Sequence, residues 1–324
     1  MRNLYFFLVL FGFSFQALAQ YPVVPIQSIQ YVSPQNLAAG NDQSSYHGDT
    51  VQIEGVVNFD PCDYGLSSGP NRLGTWLQDT ANSPWSGVEV LIDPGVLSGY
   101  TGDLEDLNSA TKFIDNFQTG YFVRATGIVN SFSGNTQVSL LPIQSSIISI
   151  STSVPAPEQV EVDSFMIGSN PGTIQKETGE KWEGMLVQFD SVSIVDISPT
   201  TQANRYFWYI QDADGNRIPI RDNSGHFRND DYDIFCTGNP NTPAQFNANN
   251  YSNAFVEYFR GVIVEYASST TGPQYYVAPR DLNDIGPVTA SPPVISDISR
   301  DPAVATSSQS VTVTAKVRDL DGTL

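Results

Sequence analysis

Tyr121-Phe122-Val123-Arg124-Ala125-Thr126-Gly127-Ile128-Val129 and, a few residues on, Gln137-Val138-Ser139-Leu140-Leu141 are the stretch whose reading decides the fold. Both runs are short, rich in β-branched and aromatic residues, and separated by Asn, Ser and Gly, which is how strands joined by a turn read. Gly127 sits inside the first run, and a glycine within a strand marks the bend that a small closed barrel needs at its corners. Upstream the same pattern recurs in Val51–Val57, Thr75–Gln78 and Gly87–Ile92. One segment departs from it. Between Asp103 and Phe117, Leu104, Leu107, Ile114 and Phe117 fall at near-helical spacing behind acidic residues, which predicts a short helix between the third and fourth strands. Five strands with a helix before the fourth outline an OB-type barrel.

Downstream the outline returns. Glu54-Gly55 recurs as Glu183-Gly184, Gln78-Asp79 as Gln211-Asp212, Gly127 as Gly261 and Leu141-Pro142 as Ala278-Pro279, at offsets of 129, 133, 134 and 137. Offsets that grow smoothly are what small loop insertions produce in a tandem pair. The second set of strands reads Gly184–Phe189, Tyr206–Gln211, Arg217–Ile220, Tyr258–Val264 and Gln274–Val277. On these residues the chain resembles the tandem OB-fold modules of secreted Bacteroidetes-type multidomain proteins. The stretches that carry the likeness are EGVV, WLQD, SGVEVLID and GYFVRATGIVNSFSGNTQVSL in the first copy, and WEGMLVQFDSVSI, YIQDADGN, GVIVEY and YYVAPRDLNDI in the second. The resemblance implies an extracellular module that accompanies nuclease, lamin-tail or Ig-like domains and carries no established catalytic residues of its own.

The expected fold class is all-β: two tandem OB-like five-stranded barrels followed by an incomplete Ig-like β-sandwich. The expected boundaries are a signal peptide at 1–19, a lead-in at 20–47, barrel one at 48–150, a linker at 151–157, barrel two at 158–286 and the start of an Ig-like domain at 287–324. Val294–Ile298 and Ser310–Val317 read as the first two strands of that last domain. A sandwich needs about seven strands and about 100 residues, so the reading expects the sequence to be a piece of a longer protein.

The compartment follows from the first residues. Arg2, an apolar run from Leu4 to Phe15 and the small-residue site Ala17-Leu18-Ala19 form a cleavable export signal, and no later segment is long and apolar enough to span a bilayer. Export places Cys62 and Cys236 where a disulfide is allowed; a Cys62–Cys236 bond and two separate buried thiols are both open.

Fifteen Lys and Arg against 34 Asp and Glu leave a net charge of −19, which argues against broad electrostatic capture of a polyanion. Any nucleic-acid contact is thereby confined to a small patch around Arg205, Trp208, Arg217 and Arg221. There the run Tyr206-Phe207-Trp208-Tyr209 puts Tyr206 and Trp208 on one strand face and Phe207 and Tyr209 on the other. Such aromatics either stack on bases or sugar rings or fill the barrel and an inter-domain contact. Trp76 in the first copy carries the same two readings. Asp212, Asp214 and Asn216 alternate as calcium ligands do, but lack the bidentate glutamate of an EF-hand; the competing reading is a hairpin turn with Gly215 at positive φ. Calcium is therefore the one cofactor considered. Gly65-Leu66-Ser67-Ser68-Gly69 matches a nucleophile-elbow pattern but has no strand before it and Pro70 after it, which removes the strained turn that the chemistry needs. Arg280 is read as pinning the end of the second module to a neighbouring carboxylate.

The function expected is a non-catalytic extracellular binding or spacer module of a larger secreted protein. Its partners would be an extracellular ligand, either polysaccharide or single-stranded nucleic acid, and further domains of the same chain. Two rivals stand beside it: a nucleic-acid-binding accessory region of an extracellular nuclease, and a carbohydrate- or calcium-dependent adhesion module.

Overall fold

The structure is a computed structural model that describes residues 21–64, 72–169, 172–199, 206–227, 247–268, 271–290, 294–302, 304, 306 and 308–318. The segment read as an export signal, Arg205 and Cys236 lie outside the described residues.

The lead-in holds two short helices, α1 (Ile26–Gln30) and α2 (Pro34–Ala38). Pro34 takes the first helical position of α2, where its missing N–H costs nothing, and Ser33 caps the helix. Ile26 and Ile29 of α1 are buried in the first core.

Strands β1 (Thr50–Val57), β2 (Leu73–Gln78), β3 (Gly87–Ile92), β4 (Phe122–Phe132) and β5 (Asn135–Leu140) follow the order β1-β2-β3-β5-β4, and β4 pairs back onto β1 to close the barrel. β3 and β5 run parallel, and the other pairs run antiparallel. The helix predicted before the fourth strand is present as α3 (Leu104–Thr111), with Asp103 and Asp106 forming a reciprocal capping box, followed by α4 (Phe113–Asn116). Leu104, Leu107, Phe113 and Phe117 cover the same core as the inward residues Val88, Val90 and Ile92 of β3. Closure, strand order and the helix between β3 and β4 are those of an OB fold. β6 (Ser146–Ser149) adds to the edge of β4.

Short strands β7 (Glu158–Gln159), β8 (Met166–Ile167) and β9 (Thr173–Ile174) and the one-turn helix α5 (Lys176–Gly179) lead into a second sheet. It contains β10 (Leu186–Pro199), β11 (Tyr206–Gln211), β12 (Arg217–Pro219), β13 (Phe255–Ser268) and β14 (Gly272–Ala278), in the order β12-β11-β10-β13-β14. Its end strands meet through one parallel bridge, Ile220 to Val277. β15 (Val288–Ala290) pairs with β13.

Gly127 and Gly261 take the same place in their sheets. A Cβ on Gly127 would lie 2.6 Å from the Ser139 carbonyl oxygen, and one on Gly261 would lie 2.7 Å from that of Ala278, so both strands cross a neighbour too closely for a side chain. Gly127 pairs with Val51, and Gly261 with Val187. That register corrects one of the sequence matches: Glu183-Gly184 precedes β10, whereas Glu54-Gly55 lies within β1, so the two dipeptides are not equivalent.

β16 (Val294–Asp301) and β17 (Thr312–Arg318) form a separate two-stranded ribbon. Ile295, Ile298, Val313 and Val317 on it are exposed. Among the described residues no helix is long and apolar enough to cross a membrane.

Candidate functional site

In an OB barrel the β2–β3 face, flanked by the loop between β1 and β2 and the loop between β4 and β5, is where ligands bind. In the first barrel that face is covered by the second sheet. Trp76, in register with Glu89 across β2 and β3, is fully buried in a cluster with Phe59 and Tyr64 of its own half and Val262, Val264 and Ala278 of the other. Gly87, at the start of β3, meets Gly184 so closely that a Cβ on either would approach the other's backbone to 2.2–2.5 Å. The Leu186 N–H donates to Gln78 Oε1 at 3.0 Å, and the Trp85 N–H donates to the Lys181 carbonyl at 2.6 Å.

A polar pocket opens along this joint. Glu89 is buried and accepts from the Tyr64 hydroxyl (2.8 Å), from Asn135 Nδ2 (2.6 Å) and from Gln137 Nε2. Burial raises its pKa, and the Tyr64 and Gln137 hydrogen bonds oppose that rise. Arg221 lies 4.3 Å from the ring centre of Tyr266 on the second sheet, and Arg72 lies 5.4 Å from that of Phe132. The pocket encloses about 30 Å³, room for a water molecule.

Beside it lies a chamber of carboxylates at the same joint. Lys176 of α5 reaches both Asp42, from the lead-in after α2, and Glu265 of β13, the latter at 2.8 Å. Glu180 accepts from the Tyr275 hydroxyl at 2.6 Å, and Glu183 accepts from the Thr136 N–H of the first barrel at 2.9 Å. Burial pushes Glu180 up to about 8 and Glu265 up to about 7, and it raises Glu183 as well. Burial alone would lower the Lys176 ammonium, but the Glu265 and Asp42 carboxylates outweigh it and hold Lys176 above its ordinary value.

Among the described residues singled out in the sequence, the aromatics of β11 divide between its two faces. Trp208 is buried in the core of the second sheet, 5.6 Å from Phe259 and 6.1 Å from Phe227. Tyr206 packs against that core from its half-buried position. The outward face of β11 presents Phe207, 57% exposed, with Tyr209 half-buried. Arg217 is paired with Asp196 and donates to Gln211 Oε1 at 2.6 Å. Arg221 lines the pocket at the joint and packs against Tyr266 and Tyr276. Counting back from the matched Gln78 and Gln211, the counterpart of Trp76 is Tyr209 rather than Trp208: Leu77 and Ile210 point inward while Trp76 and Tyr209 point outward.

In the 212–216 turn, Asp212 Oδ1 accepts from the N–H groups of Asp214 (3.0 Å) and Asn216 (2.8 Å), Asp212 Oδ2 accepts from Asn216 Nδ2 (2.9 Å), and Gly215 has φ +87°. The Asp212 oxygens are thus taken up by the turn itself. Cys62 is half-buried and disulfide-bonded. Arg280 clasps Asp284 with two nitrogens, at 2.8 and 3.0 Å, and its third reaches the Asn58 carbonyl of the first half at 3.3 Å.

A second, open cleft was not anticipated. It encloses about 400 Å³ and is lined by Gln159, Glu161, Ser164, Lys181, Trp182 and Asp190, with Val160 at its base. Asp190 is exposed and accepts from Gln188 Nε2 at 2.6 Å and from Gln159. The Lys181 ammonium lies 5.2 Å from the Trp182 ring centre. A volume of this size lined by one aromatic and several hydrogen-bonding groups suits a small ligand or one unit of a polymer. No signal in the sequence marks it, because β7 and the residues just after it, the turn after α5 and β10 are brought together only by the fold.

No family model matches the chain, and no curated protein matches it. Among solved structures it is similar to an OBody, AM1L10, bound to hen egg-white lysozyme (17% identity, 32% of this chain and 82% of that one, TM-score 0.23). It is also similar to the Ifi202 HINa domain in complex with 20-bp double-stranded DNA (8% identity, 72% and 92%, TM-score 0.29). A third is a replication protein A heterotrimer bound to single-stranded DNA (11% identity, 82% and 70%, TM-score 0.24).

Proposed function

We propose that the chain is a non-catalytic binding and spacer module of a larger secreted protein. In this reading the second sheet is a second OB-type barrel, locked to the first, and β16 and β17 open an Ig-like domain whose remaining strands would cover the exposed Ile295, Ile298 and Val313. The observation that carries the reading is the placement of the two candidate faces: the first barrel's ligand face is sealed inside the joint, while the Trp182 cleft stands open on the outside.

The ligand proposed for that cleft is a neutral polysaccharide. An indole stacks on the apolar face of a sugar ring, while carboxylate, amide and hydroxyl groups take up its hydroxyls. Glu161 and Asp190 on the rim, in a chain of net charge −19, disfavour a phosphate backbone.

The test is affinity electrophoresis of the full chain through gels cast with a panel of soluble neutral polysaccharides, next to a labelled oligonucleotide at low salt. Retardation by one or more polysaccharides is expected, with loss of at least tenfold in affinity for Trp182→Ala. Asp190→Ala, altering an exposed side chain, supplies the same readout should the tryptophan variant fold poorly. Oligonucleotide binding that weakens as salt rises would establish the nucleic-acid rival instead, and retardation that survives both substitutions would remove the cleft from the account.

A further inference from the structure

The carboxylate cluster at the joint holds more buried oxygen atoms than its surroundings pair. Glu180, Glu183 and Glu265 are at most 2% exposed. Each has one oxygen held by a fixed donor: the Tyr275 hydroxyl, the Thr136 N–H and the Lys176 ammonium respectively. The other oxygen of each (Glu180 Oε1, Glu183 Oε2 and Glu265 Oε2) is buried without a hydrogen-bond partner. Proteins leave few buried polar atoms unpaired, and an unpaired carboxylate oxygen is among the costliest. Two of these residues, Glu180 and Glu265, share one cluster with Asp42 and point to a ligand that accepts lone pairs.

The geometry fits a cation. One oxygen each from Asp42, Glu180 and Glu265 lies within 4.8 Å of the others. Two oxygens bound to one calcium at about 2.3–2.6 Å each can be as far apart as about 5 Å, whereas the shorter bonds of magnesium, about 2.0–2.1 Å, draw them closer and come with a strict octahedron and retained water. All donors are carboxylates, the set that selects hard divalent ions over zinc or copper.

We propose that Asp42, Glu180 and Glu265 form a buried calcium site that staples the lead-in segment to the second sheet across the joint. Lys176 is its internal competitor. In the cation-free protein its ammonium holds Asp42 and Glu265 together, and its side chain, partly open to solvent, can swing aside when calcium enters. The site is independent of the Asp212 turn, where the carboxylate already caps its own loop, and of the polysaccharide reading.

The experiment is thermal melting of the full chain in EDTA, in 1 mM CaCl2 and in 1 mM MgCl2, with calorimetric titration of calcium. Calcium should raise Tm by roughly 5 °C, as a ligand well above its Kd does for a chain of this size, with one ion bound per chain and a smaller magnesium effect. Glu180→Gln should abolish the calcium increment, and Asp212→Ala should retain it. Lys176→Met should tighten calcium binding at least tenfold by removing the competitor. Should Glu180→Gln fail to fold, Asp42→Asn, on the half-buried lead-in, gives the same readout. No calcium heat and no shift in the wild type, an increment that survives Glu180→Gln, or one lost with Asp212→Ala would each overturn the site. A magnesium shift equal to that of calcium would overturn the assignment of the ion.

Discussion

Trp76 on β2 and Tyr209 on β11 occupy matching positions, and their surroundings differ. Trp76 is fully buried because Val262, Val264 and Ala278 of the second sheet lie on it. Tyr209 remains half-buried, and Phe207 on the same face is open to solvent. Two similar strands therefore differ in their surroundings: the outer face of β2 lies in the joint, and that of β11 stays outside. The outer face of a strand acquires its role from whatever packs on it.

The contrast can be broken by mutation. Trp76→Ala should cost about 3–5 kcal/mol in urea unfolding, the loss expected for deleting a fully buried indole. Tyr209→Ala, on the open counterpart, should cost under about 1 kcal/mol; equal costs would show that the first face is not sealed. Gly87→Ala should follow closely, at about 3 kcal/mol, because the new methyl meets the Gly184 backbone, which cannot swing away as a side chain can. If the two halves are coupled chiefly through that contact, the single unfolding transition should split in two, which fluorescence and circular dichroism would report as non-coincident curves.

A smaller effect concerns pH. Glu180 and Glu265 titrate at about 8 and about 7 in the folded chain, above the ordinary 4.5, because burial disfavours their charge. Between about pH 4.5 and pH 8 the folded state therefore holds protons that the unfolded state has released, so stability falls as pH rises through that window. In EDTA the urea midpoint should be higher at pH 5 than at pH 8, by an amount on the order of a few kcal/mol in stability. Glu180→Gln should shrink the difference; a difference unchanged in that variant would assign the effect to the rest of the chain's negative charge.

Much of the fold was legible in the sequence. Gly87–Ile92 and Tyr206–Gln211 are strands over the bounds read from their alternation, and Asp103 stands as the cap of the helix foreseen before β4. Gly127 and Gly261, read as bends, are where a strand passes too close to its neighbour for a side chain. The Glu-Gly match misled because a two-residue motif carries no register, and only the pairing of Val51 with Gly127 and Val187 with Gly261 fixes it. Of the basic-aromatic set, alternation sent Trp208 into a core, Arg221 packs on Tyr266, and Arg205 lies outside the described residues.

By itself, then, the sequence determined the strands, the helix and the acidic character of the chain, because period-2 alternation, capping residues and charge are local properties. Only the tertiary structure decided that Trp76 is a joint residue, that Trp182 lines an open cleft, and that Asp42 and Glu265, more than 200 positions apart, share one chamber. Alternation says that a strand has two faces. What lies against the outer one, and which buried charges are left facing each other there, depends on contacts between distant parts of the chain.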